Sequence, residues 1–292
     1  MSGSSEAGRL ARKVAVITGT GGGQGRAAAL RFCQEGARVV GCDLNVEGSR
    51  ETVALARDAG HSMVSVEPVD LSRPEEVDGL VAAALNAFGD FDILYNNAAA
   101  MRAGRIDEMS LDDFEWTMKN EVSVIFNAVK ASVPVFGRRG GGVVVNVAST
   151  AGIYGAGFPG NARGMLAHCV GKAAVIRMTE VLAIELSPLN VRVNAISPGV
   201  TDTPALRLFL DNDEVRSLFT NFSLLHSVAR PDDVVNAAVF LASDEASLIT
   251  GCNLPVDGGQ SVGAGQGQPD LQVESLIARA LGAADVPAAG GS

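Results

Sequence analysis

Short apolar runs rich in valine and isoleucine alternate along the chain with longer amphipathic stretches. The runs Val14–Ile17, Ala37–Cys42, Met63–Val66, Asp92–Tyr95, Val143–Val147, Val191–Ile196 and Cys252–Val256 read as strands, most of them too uniformly apolar to face water on either side. Between them, Arg26–Gly36, Val46–Ala59, Pro74–Phe88, Leu111–Phe136, Leu166–Leu186 and Pro231–Ala242 read as helices. The segment Pro204–Ser227 has helical patches but no clean period. Strand and helix alternating almost to the end predict a doubly wound α/β fold, a mostly parallel seven-stranded sheet with helices on both faces.

Composition agrees with a sheet buried on both sides: 47% of the 292 residues are hydrophobic and 34 are glycine. No Gly, Pro or Ser-rich linker divides the chain, so residues 10–259 are expected to form one domain. Residues 1–9 read as a flexible start and 260–292 as a partly disordered tail, with a short amphipathic helix over Leu271–Leu281. The net charge of −10, with no basic block longer than Arg138-Arg139, argues against nucleic acid as a partner. No apolar run is long enough to span a bilayer and Met1–Arg12 has no secretory h-region, so a cytoplasmic protein without a membrane partner is expected. Cys33, Cys42, Cys169 and Cys252 form no CxxC pair, and His61, His168 and His226 lie far apart, so no metal site is expected.

Chemistry enters just after the first strand, with Thr18-Gly19-Thr20-Gly21-Gly22-Gly23-Gln24-Gly25. A glycine turn between a strand and a helix lets a pyrophosphate approach the backbone and rest on the helix N-terminus. Asp43 ends the second strand, about 20 residues further on, where an acid can accept from both ribose hydroxyls of NAD and would repel the 2′-phosphate of NADP. An aspartate there could also cap the following helix. The glycine turn in register favours the cofactor role.

Taken together, the ordered motifs resemble those of the short-chain dehydrogenase/reductase family over about Leu10–Gly259, which implies a single-domain Rossmann fold. Gly19, Gly23, Gln24 and Gly25 match the family's cofactor turn, and Asp70 in Val69-Asp70-Leu71 matches the acid at the adenine edge. Asn97 belongs to Asn96-Asn97-Ala98-Ala99, similar to the family's Asn-Asn-Ala-Gly motif. The resemblance implies that Asn120 holds a water, Ser149 bonds the substrate oxygen and Lys172 binds the nicotinamide ribose. It also implies that Pro198, Gly199, Thr201 and Thr203 of the Pro-Gly motif flank the nicotinamide, with residues 204–227 as a substrate lid. A homodimer or homotetramer acting on a small molecule follows from the same resemblance.

One position departs from the pattern. Four residues before Lys172, where the family carries its active-site tyrosine, stands His168. Tyr95 lies inside a predicted strand, and Tyr154 is followed four residues on by Phe158 rather than lysine. The interval from Ser149 to His168 is longer than the family's by about half a dozen residues, which fall in the loop Phe158–Met165. His168 and Lys172 share a helical face. Imidazole, with an unperturbed pKa of about 6.5, is a base at neutral pH without help. The expected activity is therefore interconversion of a secondary alcohol and a ketone with NAD, His168 moving the proton. The apolar lid sequence points to an alicyclic, terpenoid or aromatic substrate. A non-redox lyase, an isomerase, or a catalytically silent NAD-binding protein on the same scaffold is the alternative.

Overall fold

The strands β1 (Val14–Thr18), β2 (Arg38–Cys42), β3 (Met63–Val66), β4 (Ile93–Asn96), β5 (Gly142–Val147), β6 (Val191–Pro198) and β7 (Asn253–Val256) form a seven-stranded sheet in the order β3-β2-β1-β4-β5-β6-β7. Every neighbouring pair is parallel, where the sequence led us to expect a mostly parallel sheet. The computed structural model describes residues 8–155 and 164–263. The start before Gly8, the loop over 158–163 and the tail helix over Leu271–Leu281 lie outside them.

Side-chain alternation divides the core in two. Val14, Val16, Val40, Leu94, Val144 and Val193 pack on one face beneath α3 (Pro74–Phe88), α5 (Val124–Arg139) and α6 (Leu166–Glu185). Ala15, Ile17, Val39, Ile93, Val145 and Ile196 pack on the other, beneath α1 (Gly23–Gln34), α2 (Val46–Asp58) and α9 (Pro231–Ala242). Each fully buried Val, Leu or Ile side chain contributes about 1.5–3 kcal/mol, so both layers hold the strand ends in fixed register.

Most boundaries shift by a residue or two from the sequence expectation, and three of the differences bear on the site or the sheet edge. The helix expected over Leu111–Phe136 is instead α4 (Leu111–Met118), a π-helical turn (Lys119–Ser123) and α5. Within that wide turn the Asn120 carbonyl accepts from Ala100 N at 3.3 Å, and its side-chain Nδ2 donates to Trp116 O at 2.8 Å. Helix α1 starts at Gly23 rather than Arg26, so the cofactor turn already contains its first helical turn. Asp92 falls just before β4, its backbone N donating to Val14 O at 2.8 Å while its carboxylate accepts from Val14 N at 2.7 Å and pairs with Arg139. The lid segment holds two helices, α7 (Pro204–Leu210) and α8 (Asp213–Asn221), the second capped by Asn212 through Glu214 N and Val215 N.

Candidate active site

In a sheet of parallel strands, the C-terminal ends Thr18, Cys42, Asn96, Val147 and Pro198 share one edge. The connections leave β1 toward β2 on one side and reach β4 on the other, so the crevice where ligands settle lies between β1 and β4. Asn97 spans it. Its backbone N and that of Ala98 each donate to Thr18 Oγ1 at 3.0 Å, and its Nδ2 donates to Thr18 O at 3.1 Å. The residue expected to bind cofactor is also the clasp that fixes the glycine turn.

The turn itself has the form of a phosphate cradle. Gly22 stands at the N-cap of α1 with no side-chain cap, which leaves first-turn N–H groups available to an anion. A Cβ on Gly25 would collide with the Gly19 carbonyl, so only glycine permits this close approach. Gln24 Oε1 is buried with no hydrogen-bond partner among the described residues, an acceptor that a bound molecule could satisfy. Asp43 does not cap α2. That role falls to Asn45, whose side chain accepts from Gly48 N at 3.1 Å. Asp43 instead accepts from Gly21 N at 2.7 Å and Asn45 N at 2.8 Å, which sets its carboxylate against the glycine turn.

Asp70 accepts from Ser72 N at 2.9 Å. The Ser72 hydroxyl, with Lys119 and Arg73 nearby, holds its carboxyl below the usual range. Across the cleft, Thr201 Oγ1 donates to Gly199 O at 3.1 Å. The Pro-Gly loop runs on to Thr203 and Pro204, close enough that a Cβ on Gly23 would lie 3.9 Å from Thr203 Cβ and 3.7 Å from Pro204 Cδ. The two expected halves of a cofactor cleft therefore face each other.

Ser149 follows β5, its Oγ accepting from Ala151 N at 3.1 Å. Lys172 is buried, and its Nζ donates to Val147 O at 3.0 Å, which ties the first half of α6 to the strand end that precedes Ser149. Burial lowers the Lys172 pKa, and the charge of Glu121 opposes that shift. His168 lies one turn earlier on α6, with Nδ1 2.6 Å from Glu121 Oε1. Its side chain is 15% exposed and that of Glu121 1%.

Glu121 is not among the residues that the sequence motifs single out. A signal was available: an acid stands four residues after Thr117 and four before Ile125, in the buried stripe of its helix. Tyr154 is committed elsewhere. Gln260 Nε2 donates to its hydroxyl at 2.6 Å while Gln260 Oε1 accepts from Val200 N at 3.4 Å, and burial raises the phenol's pKa. Among the described residues no group of His, Cys, Asp and Glu could hold a metal ion, and no helix is long and apolar enough to cross a membrane.

The fold and this edge have the form of a dinucleotide-binding scaffold, and comparison with known proteins shows the family. The family model described as Enoyl-(Acyl carrier protein) reductase matches residues 19–261, and the chain belongs to this branch of the short-chain dehydrogenase/reductase oxidoreductases. It is 37% identical over 257 residues to 2,5-dichloro-2,5-cyclohexadiene-1,4-diol dehydrogenase LinX of Sphingobium indicum, covering 88% of this chain and 99% of that one. It is 35% identical over 255 residues to 3beta-hydroxysteroid dehydrogenase 1 of Eggerthella lenta, covering 87% and 95%. Among solved structures, a 7α-hydroxysteroid dehydrogenase complexed with NADH and 7-oxo glycochenodeoxycholic acid superposes with a TM-score of 0.81 at 30% identity, covering 88% of this chain and 98% of that one. Family and neighbour together point to a nicotinamide cofactor.

Proposed function

We propose that this protein is an NAD-dependent oxidoreductase that interconverts a secondary alcohol and a ketone, with His168 as the proton-transfer residue. The observation that carries the reading is the placement of His168 one helical turn before Lys172, which is itself anchored to the end of the strand leading to Ser149. Bound NAD supplies the hydride acceptor. Gly19, Gly23, Gln24 and Gly25 cradle its pyrophosphate, Asp43 accepts from the adenosine ribose hydroxyls and Asp70 meets the adenine edge. Asn97, Pro198, Gly199, Thr201 and Thr203 line the nicotinamide side, and Lys172 holds the nicotinamide ribose. Ser149 donates to the substrate oxygen, His168 exchanges its proton, and Asn120 supports the site beside the lysine.

The substrate is an apolar alicyclic, terpenoid or aromatic alcohol held under the lid of residues 204–227, and relatives named for a cyclic diol and a hydroxysteroid support the alicyclic kind. Residues 10–259 act as one domain, in a homodimer or homotetramer, and the four free cysteines fit a reducing cytoplasm.

The test is NADH formation with a panel of alicyclic, terpenoid, steroid and benzylic secondary alcohols, with NAD and NADP binding titrated by calorimetry. Turnover of ring alcohols is expected, with NAD favoured over NADP by about tenfold or more, the equivalent of one charge-assisted hydrogen bond. Tight NAD binding without turnover of any alcohol would replace this reading with a non-redox role. Equal affinity for NADP would remove Asp43 from the ribose.

A further inference from the structure

We propose that Glu121 is the positioning residue for His168, holding the imidazole in its Nδ1–H form so that Nε2 faces the substrate as the base. This deepens the reading above and rests on it. Three observations on this chain carry the assignment.

The first is burial. The Glu121 side chain is 1% exposed, in a helical stripe that otherwise buries Thr117, Val124, Ile125 and Ala128. A carboxylate there is costly unless it is paired, and an apolar side chain would pack the position without that cost. The second is its pairing. Oε1 lies 2.6 Å from His168 Nδ1, while Oε2 has no hydrogen-bond partner among the described residues. The carboxylate therefore makes one directed contact, to the ring. The third is the space opposite. Gly171 sits in the first half of α6, where a Cβ would fall under 3.0 Å from Glu121 Oε2 and 3.1 Å from Met118 Cε. Glycine weakens a helix interior, so its presence here clears room for the carboxylate.

The chemistry follows from what each atom can do. A carboxylate only accepts, so Nδ1 is the donor and Nε2 carries the free lone pair. The two ring nitrogens point apart, so an Nδ1 held on Glu121 turns Nε2 away from the buried carboxylate. In alcohol oxidation the substrate O–H bond breaks and its proton bonds to Nε2. Bound NAD would supply the acceptor for the carbinol hydride, so that the C–H pair has somewhere to go as the C=O bond forms. The ring thereby becomes a cation one turn from the buried Lys172. Glu121, whose charge Lys172 already feels, offsets both. This is the role the aspartate plays in a serine-protease triad, reached here on an unrelated arrangement of elements.

The experiment combines a kinetic cycle with a direct reading of the tautomer. Glu121→Gln keeps the shape and removes the charge. It is expected to lower kcat about 10²-fold with little change in KM, and to have no further effect in the His168→Phe background. Nitrogen-15 labelling of histidine is tractable because the chain has only three, and His168 is assigned by its loss in His168→Phe. In the wild-type protein its proton is expected on Nδ1 and its lone pair on Nε2, and Glu121→Gln is expected to abolish that preference. If His168→Phe is inactive and Glu121→Gln keeps wild-type kcat, Glu121 is merely structural and the proposal fails alone. A proton on Nε2 in the wild type overturns it without any Glu121 variant. Wild-type kcat in His168→Phe removes the proton-transfer reading, and the role of Glu121 with it.

Discussion

Replacing Gly171 by alanine ought to stabilise an ordinary helix, and here it should do the reverse. Alanine is favoured over glycine in a helix interior by about 1 kcal/mol. At this position the new methyl would approach Glu121 Oε2 under 3.0 Å, with Met118 Cε at 3.1 Å and Glu121 Cβ at 3.4 Å behind it. Relief requires the carboxylate to turn or the helices to part. Turning it breaks the 2.6 Å contact to His168, a charge-assisted hydrogen bond of roughly 1.5–3 kcal/mol. Parting the helices incurs an overpacking cost of about 1–3 kcal/mol. Turning the carboxylate outweighs the propensity gain by about 0.5–2 kcal/mol, and parting the helices by up to about 2 kcal/mol, so a net loss of about 1 kcal/mol is expected. For a domain of this size each kcal/mol moves Tm by about 2–4 °C, so a fall of roughly 2–4 °C is expected by differential scanning calorimetry. Turnover should fall with it, because His168 loses its anchor. A variant that melts higher than wild type and turns over at the wild-type rate would show that Glu121 moves aside freely, and would refute the reasoning.

Arg192 donates to Leu241 O at 2.9 Å and Ser243 O at 3.0 Å, capping the end of α9, so Arg192→Met should cost about 2–3 kcal/mol in urea unfolding without altering NAD affinity. Burial pushes the Cys33 and Cys42 thiols from 9.0 up to about 12. Below pH 9 neither state titrates and stability is full. Above it the unfolded chain loses protons first, so stability falls with rising pH by about 1.4 kcal/mol per thiol per unit until about pH 12. Urea midpoints measured from pH 8 to 10.5 should fall more steeply in the wild type than in a Cys33→Ala, Cys42→Ala variant. Lys172→Met should weaken NAD binding and turnover yet leave a folded protein, because the buried amine is itself costly. A collapsed Tm with normal activity per folded molecule would make the lysine structural.

Much of the fold could be read from local signals. Strand β3 and helices α3 and α9 begin and end where the sequence placed them, the two helices because Pro74 and Pro231 stand at their first positions. The break between α4 and α5 was hidden. Apolar periodicity continues on both sides of it, and the wide turn is fixed by contacts with Ala100 and Trp116. Asp43, Asn97 and Ser149 were legible as neighbours along one edge because topology carries the ends of parallel strands there, and Lys172 reaches that edge from α6 through Val147 O. Glu121 was not legible. Its partner His168 lies 47 residues away, and only the packing of α6 on the π-helical turn brings the two together.

The most direct test is the rate of a single turnover with saturating NAD and a secondary alcohol, compared in wild type and His168→Phe, with the NAD dissociation constant of each measured alongside. Proton transfer by a positioned side chain accounts for about 10²-fold or more in rate. The account predicts a loss of at least that size with NAD affinity unchanged. An undiminished rate in His168→Phe would contradict it, and would pass the proton to Tyr154 or to water.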